Sequence, residues 1–358
     1  MKKVLIANRG EIAIRIARTC NDLGLKTIGI YSEDDANSLH LSKVDEAYKI
    51  EGRGAQAYLD IRGIISIAKK SKADAIHPGY GFLSENASFA SSVKRAKIKF
   101  IGPNEKTLKI FGDKTSAKEL ASNLNIPVIA GTHEKTSLRQ AQSFMKSLKK
   151  NSSVVIKAIS GGGGRGMRVV SDIDNLKESF DRAASEAKAS FDSPDLYLEE
   201  YLKNYRHIEF QIIGDGTGAA SHLHERECSI QRRHQKLIEI APSPSLNLDL
   251  KTKMIEASLA LSKALKYEGL ATMEFLVNVE KNDFRFIECN PRLQVEHTVT
   301  ESVLFLDLVK AQIQVASGKT LKQIKLEQKN IPEPKGYAIQ SRVNMETIDS
   351  QGLSLIHI

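Results

Sequence analysis

The 358-residue sequence has no tryptophan, 6% aromatic residues and only three cysteines. Cys20, Cys228 and Cys289 are scattered without metal-ligand spacing, which argues against a disulfide framework or a zinc module and suits a reducing compartment. The opening Met1-Lys2-Lys3-Val4-Leu5-Ile6-Ala7 carries only a strand-length apolar run before Asn8 and Arg9, too short for a signal-peptide core. Nothing approaches a membrane span, so the expectation is a cytoplasmic protein with no membrane partner. There is no internal repeat, no low-complexity tract and no basic run interleaved with aromatics, so nucleic acid is not the expected partner. The cluster from Lys94 to Lys99 reads as a solvated helix end. What is present is a basic excess, 52 Lys and Arg against 43 Asp and Glu for a net charge of +9, which favours anionic ligands. The length and the 41% hydrophobic content predict two or three domains.

The chain opens as a βαβ unit: strand Val4 to Ala7, turn Asn8-Arg9-Gly10, helix Glu11 to Leu23 stopped by Gly24, strand Lys26 to Tyr31, then acidic Glu33-Asp34-Asp35. Only Gly10 stands where a dinucleotide fingerprint needs three glycines, which disfavours NAD. A helix over Asp60 to Ser71 and a strand over Ala73 to Ile76 lead into His77-Pro78-Gly79-Tyr80-Gly81-Phe82-Leu83-Ser84-Glu85-Asn86, a strand-end loop of the kind that carries ligands in α/β sheets. Strand Ile98 to Gly102 closes this unit near residue 103. Asn104 to Asn125 is expected to be mostly helical and carries Lys114.

Pro127 and Gly131 mark entry to a smaller unit, with a helix over Ser137 to Lys149 and strands Val154 to Ala158 and Arg168 to Val170. Between the strands lies Ser160-Gly161-Gly162-Gly163-Gly164-Arg165-Gly166-Met167. No Lys-Ser/Thr and no helix come after Gly166, so this is not a Walker A loop. It reads as a hairpin tip whose glycines let backbone N–H groups approach an anion, with Lys157 and Arg165 adding charge. Strand Leu196 to Leu202 leaves this unit through Glu199-Glu200, a plausible hinge beside an adenine. Arg206 to Gln211 alternates as a strand, the run Glu225 to Lys236 gathers polar and cationic groups, and Leu248 to Lys266 is a helix stopped by Gly269.

The most informative stretch runs from Thr272 to Val299. Met273 to Val279 and Asp283 to Glu288 flank Glu280-Lys281-Asn282 and read as a β-hairpin, with Glu274 and Glu288 symmetric about position 281. Facing carboxylates repel unless a cation sits between them, and a hard divalent ion would do so while sharing phosphate. Beyond Glu288 the alternation predicts an extended chain with Asn290, Arg292, Gln294 and Glu296 on one side and Cys289, Leu293 and Val295 on the other. That polar row reads as an oxyanion and metal site.

Taken together, Ile6-Ala7-Asn8-Arg9-Gly10-Glu11-Ile12-Ala13, the run from His77 to Asn86, Gly161 to Met167, Glu225 to Lys236 and Arg292-Leu293-Gln294-Val295-Glu296-His297 resemble the biotin carboxylase subunit of biotin-dependent carboxylases, of the ATP-grasp superfamily. The resemblance runs to about residue 346. It implies an α/β (α+β) chain with an N-terminal Rossmann-like domain over 1–112, a helical linker over 113–130, an ATP-grasp lid over 131–203, and over 204–358 the catalytic domain with the start of a truncated C-terminal domain. It implies ATP-dependent carboxylation of biotin by bicarbonate. ATP binding is carried over to Lys114, Lys157, Gly162, Gly163, Gly164, Gly166, Met167, Glu199, Leu202, His207, Gln231, His234, Glu274 and Glu288. The Mg²⁺ or Mn²⁺ ligands are Glu274, Glu288 and Asn290. Bicarbonate falls to Lys236, Arg292, Gln294 and Val295, the general base is Glu296, and Arg342 stabilises the biotin enolate.

No Ala-Met-Lys-Met biotinylation motif is present, so the resemblance implies biotin delivered on a biotin carboxyl carrier protein, a carboxyltransferase partner and a homodimer. The final acceptor, acetyl-CoA, another acyl-CoA or pyruvate, is left open. Two other readings stand beside this one: another ATP-grasp ligase, such as a carbamoyl-phosphate-synthetase-like domain, and an inactive nucleotide-binding fragment. The chain departs from the family pattern at Leu304-Phe305, where Thr-Gly is common, at Tyr205, where proline is usual, and over Gln351 to Ile358, which suggests a truncated or altered frame.

Overall fold

A computed structural model describes residues 1–358 apart from 133, 150, 151, 160–166, 233, 234, 344, 345, 349–353, 357 and 358. Strands β1 (Lys3–Ile6), β2 (Lys26–Tyr31), β3 (Glu46–Lys49), β4 (Ala75–His77) and β5 (Lys99–Phe100) form a parallel sheet in the order β3-β2-β1-β4-β5. Successive side chains of a strand point to opposite faces. Val4 and Ile6 accordingly pack with Ile12 and Ile16 of helix Gly10–Asp22, while Leu5 joins Ile64, Ala68 and Phe89 of helices Ile61–Lys70 and Ala87–Arg95. Covering both faces explains why β1 reads as an unbroken apolar run.

The acidic turn after β2 is spent within this unit: Asp35 accepts hydrogen bonds from Arg9 at 2.9 Å and from the Tyr58 hydroxyl at 2.7 Å. In the loop after β4, Asn8 Nδ2 donates to the carbonyls of Pro78 and Tyr80, both at 2.8 Å. Gly79 has φ +65° there, and a Cβ would lie 2.8 Å from the Asn8 amide, so only glycine fits.

The mostly helical stretch expected over Asn104 to Asn125 consists of two helices, Glu105–Gly112 and Lys114–Asn123. Asp113 interrupts it by leaving helical backbone and capping the second helix through the Ser116 N–H. Strands β6 (Ser153–Ala158), β7 (Arg168–Val170) and β8 (Leu196–Tyr201) form an antiparallel sheet in the order β7-β6-β8, packed on helices Leu138–Ser147 and Leu176–Phe191.

The largest sheet comprises β9 (Arg206–Asp215), β10 (Ala220–Arg232), β11 (Gln235–Ala241), β12 (Glu268–Asn278), β13 (Asp283–Asn290) and β14 (Ala338–Ser341), in the order β13-β12-β9-β10-β11-β14. Helix Leu248–Ala264 covers one face, where Leu250, Met254 and Leu261 meet Phe210, Phe275 and Phe286. Two further strands, β15 (Glu346–Ile348) and β16 (Ser354–Ile356), pair with each other. Among the described residues no helix is long and apolar enough to cross a membrane.

In the hairpin, Glu274 pairs with Glu288, as the symmetry about position 281 anticipates. The turn itself is centred half a residue earlier, since Asn278 pairs with Asp283 and Phe275 with Phe286. Ile287 is the extra residue, a bulge that re-aims Glu288 and Cys289. Strict alternation would leave Glu288 on the face of Phe284 and Phe286. After the bulge it is Cys289 that joins those phenylalanines in the core.

Candidate functional site

Register across the large sheet sets Glu288, Glu274, Glu209 and Arg226 side by side on β13, β12, β9 and β10. The row beside it contains Asn290, Thr272 and Gln211. Three neighbouring carboxylates on one face repel strongly in a poorly hydrated site unless cations intervene. Lys236, at the start of β11, supplies one: its Nζ donates to Glu209 Oε2 at 2.5 Å, to Glu274 Oε1 at 2.7 Å and to Glu296 Oε1 at 2.8 Å. Burial opposes the charge on Lys236, but those carboxylates outweigh it and raise its pKa well above the ordinary value.

Glu274 is likewise held well below the carboxylate range, because Lys236 and His207 overcome the penalty of burial. His207 Nε2 stands 2.8 Å from Glu274 Oε2, and its Nδ1 meets the Gln231 amide at 2.8 Å. Glu288 behaves oppositely: burial and the facing Glu274 carboxylate raise its pKa. A carboxyl destabilised as an ion by a neighbouring carboxylate is the donor arrangement a hard divalent cation relieves. The pair therefore fits the metal that the resemblance implies. Asn290, 9% exposed, donates to Glu274 at 2.7 Å and accepts from Arg292 at 3.2 Å.

The extended chain expected to Glu296 ends at Asn290, and residues 291–296 turn into helix His297–Leu304. The polar residues still converge, through the turn rather than a strand. Glu296 occupies the N-cap but makes no cap bond with its side chain. The carboxylate is instead turned to Lys236 and to Arg342, whose Nη2 donates to Oε2 at 2.8 Å. Burial would raise its pKa, yet Lys236, Arg226 and Arg342 hold it down to about 2, so it is ionised. Arg342 also donates from Nε to Glu239 at 2.6 Å. Arg292 pairs with Glu85 of the loop after β4 and donates to the Leu293 carbonyl at 3.2 Å. Gln294 is 4% exposed and donates to Glu274 at 3.2 Å, while Val295 is half-buried and Leu293 lies in the core instead.

A second cluster joins β6 and β8 to helix Lys114–Asn123. Glu199 on β8 receives Lys157 of β6 on one oxygen and Lys118 of helix Lys114–Asn123 on the other. Burial lowers the pKa of Lys118 to about 7 and of Lys157 to about 8, and neighbouring lysines add to the effect. Lys114 opens the same helix; Leu202 comes after β8 and Met167 precedes β7, both half-buried. Gly162, Gly163, Gly164, Gly166 and His234 lie outside the described residues.

Sequence reasoning did not single out Arg226, Glu209, Glu239 or Lys118 as site residues. Glu209 had a signal, since it alternates with His207 on β9 and so shares its face. Glu85 and Arg292 meet across a sequence separation of 207, which no local pattern carries.

Two family models match the chain: "Biotin carboxylase, N-terminal domain" over residues 1–108 and "Carbamoyl-phosphate synthase L chain, ATP binding domain" over 113–324. A pyruvate carboxylase from Bacillus subtilis is 50% identical over 355 residues, covering 97% of this chain and 30% of that protein. The chain thus spans about a third of the length of the pyruvate carboxylases it matches. The biotin carboxylase-beta-gamma-ATP complex from Campylobacter jejuni superposes with a TM-score of 0.91 at 42% identity, covering 98% of this chain and 77% of that one. The biotin carboxylase domain dimer of Hydrogenobacter thermophilus 2-oxoglutarate carboxylase, in complex with MgADP, ADP and bicarbonate, gives 0.90 at 41%, covering 96% and 75%. With both family models matched in chain order and relatives of this identity over nearly its whole length, the chain belongs to the biotin carboxylase family and has its ATP-grasp fold.

Proposed function

We propose that the chain carboxylates biotin at N1′ at the expense of ATP and hydrogencarbonate, as the first half-reaction of a biotin-dependent carboxylase. The observation that carries this reading is the convergence of Lys236, Arg292, Gln294 and an ionised Glu296 beside the facing pair Glu274 and Glu288. Hydrogencarbonate is a weak anionic nucleophile that must approach a charged phosphate, so the site has to neutralise and align both. Arg292 offers planar donors to carboxylate-like oxygens, with its Nε fixed by Glu85, and Lys236, Gln294 and the Val295 backbone complete the cradle.

In the reaction, Glu296 takes the hydrogencarbonate proton while a hydrogencarbonate oxygen bonds to the γ-phosphorus and the bond to ADP breaks. Carboxyphosphate then splits to CO₂ and phosphate, phosphate removes the N1′ proton, N1′ bonds to CO₂, and Arg342 stabilises charge on the ureido oxygen. Glu274, Glu288 and Asn290 would hold Mg²⁺ or Mn²⁺, which when bound neutralises charge between the phosphates. Lys114, Lys157, His207, Gln231 and His234 with Gly162, Gly163, Gly164, Gly166 and Met167 serve the phosphates, and Glu199 and Leu202 the adenine. Domains over 1–112, 131–203 and 204–358, with a linker between the first two, organise this division. A flap closing over the phosphates would keep water from carboxyphosphate.

Biotin carried on a carrier protein, a carboxyltransferase partner, a homodimer and a cytoplasmic location belong to the same reading. The dimer is supported by the Hydrogenobacter thermophilus domain, and pyruvate as final acceptor by the Bacillus subtilis relative. The match to the biotin carboxylase N-terminal model disfavours a carbamoyl-phosphate-synthetase-like activity. The test is hydrogencarbonate-dependent ATP hydrolysis with and without free biotin. Stimulation by biotin, abolished in Glu296→Ala and Arg292→Ala, is expected; a folded chain that biotin does not stimulate overturns the proposal.

A further inference from the structure

Arg226 lies in the middle of β10 with no exposed surface, a charge removed entirely from water. A guanidinium has five N–H donors, and uncompensated burial of its charge is strongly unfavourable. Here every donor is used. Nε donates to Glu209 Oε1 at 2.5 Å, and Nη1 donates to Gln211 Oε1 at 2.8 Å and Thr300 Oγ1 at 2.9 Å. Nη2 donates to Thr272 Oγ1 at 3.1 Å and Gln294 Oε1 at 3.3 Å. These acceptors come from β9, β12, the turn after β13 and helix His297–Leu304.

One of the bonds reaches Gln294, which touches hydrogencarbonate in the proposed function, and another reaches Glu209, which holds Lys236 there. A glutamine amide has one acceptor end and one donor end. With its oxygen anchored on Arg226, Gln294 must present its NH₂ to the site, where it already donates to Glu274 at 3.2 Å. Released from Arg226, the amide is free to rotate and turn its oxygen toward an incoming anion. Glu209 works in the same way. One oxygen takes Arg226, which leaves the other to hold Lys236 at 2.5 Å.

We propose that Arg226 is the positioning residue of the oxyanion half of the site, fixing which end of the Gln294 amide faces hydrogencarbonate and where Lys236 stands. The assignment rests on the proposed function. It predicts a defect confined to hydrogencarbonate, because the five hydrogen bonds of Arg226 go to Glu209, Gln211, Thr300, Thr272 and Gln294, none of which is assigned to the nucleotide.

The test is steady-state ATP hydrolysis by the chain, titrated separately with hydrogencarbonate and with MgATP, in wild type, Arg226→Lys and Thr300→Val. Lysine keeps the charge but loses the planar fork, and valine removes one anchor of that fork while keeping the volume. Substitutions that disorder the support of a bound group typically cost about 10- to 100-fold. The KM for hydrogencarbonate is expected to rise about tenfold or more in Arg226→Lys and by a smaller factor in Thr300→Val, with the KM for MgATP within about twofold of wild type. An unchanged KM for hydrogencarbonate in Arg226→Lys, or an equal rise in both KM values, overturns the assignment. Should Arg226→Lys fail to fold, Thr300→Val decides by the same criterion. A wild-type chain whose ATP hydrolysis ignores hydrogencarbonate overturns the proposed function and this assignment together, whereas a hydrogencarbonate-dependent wild type with unaffected variants overturns the assignment alone.

Discussion

Arg342 donates to Glu296 Oε2 at 2.8 Å, reaching it across the edge between β14 and the turn after β13. Glu296 is thereby ionised far below neutrality, with Lys236 and Arg226 contributing more to this than Arg342 does. Arg342→Ala removes one of these cations, so the Glu296 pKa rises and the acid limb of the pH–rate profile moves to higher pH. Biotin-stimulated turnover is expected to fall about 100-fold or more, the scale set by losing a stabiliser of developing charge. ATP hydrolysis measured without biotin is expected to fall much less.

Lys236 is the counter-charge of Glu209, Glu274 and Glu296 at once. Lys236→Gln leaves three buried carboxylates without it, and breaking a buried ion pair costs about 3–5 kcal/mol. Urea unfolding at neutral pH measures this loss, and a variant as stable as wild type would sink the electrostatic account of the site.

Glu288→Gln separates stability from metal binding. Burial and Glu274 disfavour the Glu288 carboxylate, so the neutral amide should leave the metal-free chain as stable as wild type or more so. Affinity for MgADP should fall at least about tenfold, the worth of one lost charge-assisted contact. Thermal shifts with and without MgADP read both effects from one pair of samples.

Glu199 holds two buried ammonium groups, those of Lys118 and Lys157. Glu199→Gln should therefore cost about 3–5 kcal/mol, and Lys118→Met much less, since Lys157 remains as partner. The lysines' folded pKa values of about 7 and about 8 lie below their unfolded value. The unfolded chain then binds more protons between them, so this contribution makes stability rise from about pH 7 toward 10. Lys118→Met should flatten that rise.

Buried histidines act at the other end of the scale. Burial lowers His77 to about 3 and His297 to about 4, and His77 Nδ1 accepts the Gly79 N–H at 3.0 Å. Their neutral forms favour the fold above the unfolded value near 6.5, and that contribution is lost as pH falls toward 4. Each should remove about 2 kcal/mol by pH 5, and His77→Gln should make the fall in urea midpoint shallower.

Phe305 closes helix His297–Leu304 with φ +55° and is 76% exposed. This left-handed cap position favours glycine, the residue common there in the family. Phe305→Gly should stabilise the chain by about 0.5–1 kcal/mol, less whatever Lys335 gains 5.8 Å above the ring. Chemical denaturation checks the sign.

Much of this architecture was legible because it is periodic. The βαβ opening, strand Lys26–Tyr31 and the opposed Glu274 and Glu288 come from spacing alone. The two-helix break at Asp113 was not, because an interior aspartate and a capping aspartate look alike until the backbone turns. Arg226 was hidden in a run of charges of both signs, where nothing local says which one the sheet will bury. The partners of Arg292 and Arg342, Glu85 and Glu239, are tertiary choices made by loops and strands far apart in sequence.

The bulge at Ile287 gives the hairpin an uncommon genetic property. Loss of that one codon would leave the reading frame and every acidic residue intact and make the hairpin regular, with the glutamate still opposite Glu274 and turned away from Phe284 and Phe286. Homologous hairpins of equal charge but one residue shorter would therefore keep a second carboxylate for the cation, the missing residue and the missing bulge cancelling. A difference of one residue between Phe286 and Glu288 is thus no mark of an incompetent sequence, whereas straightening the strand with Ile287 still present would turn the glutamate in among the phenylalanines.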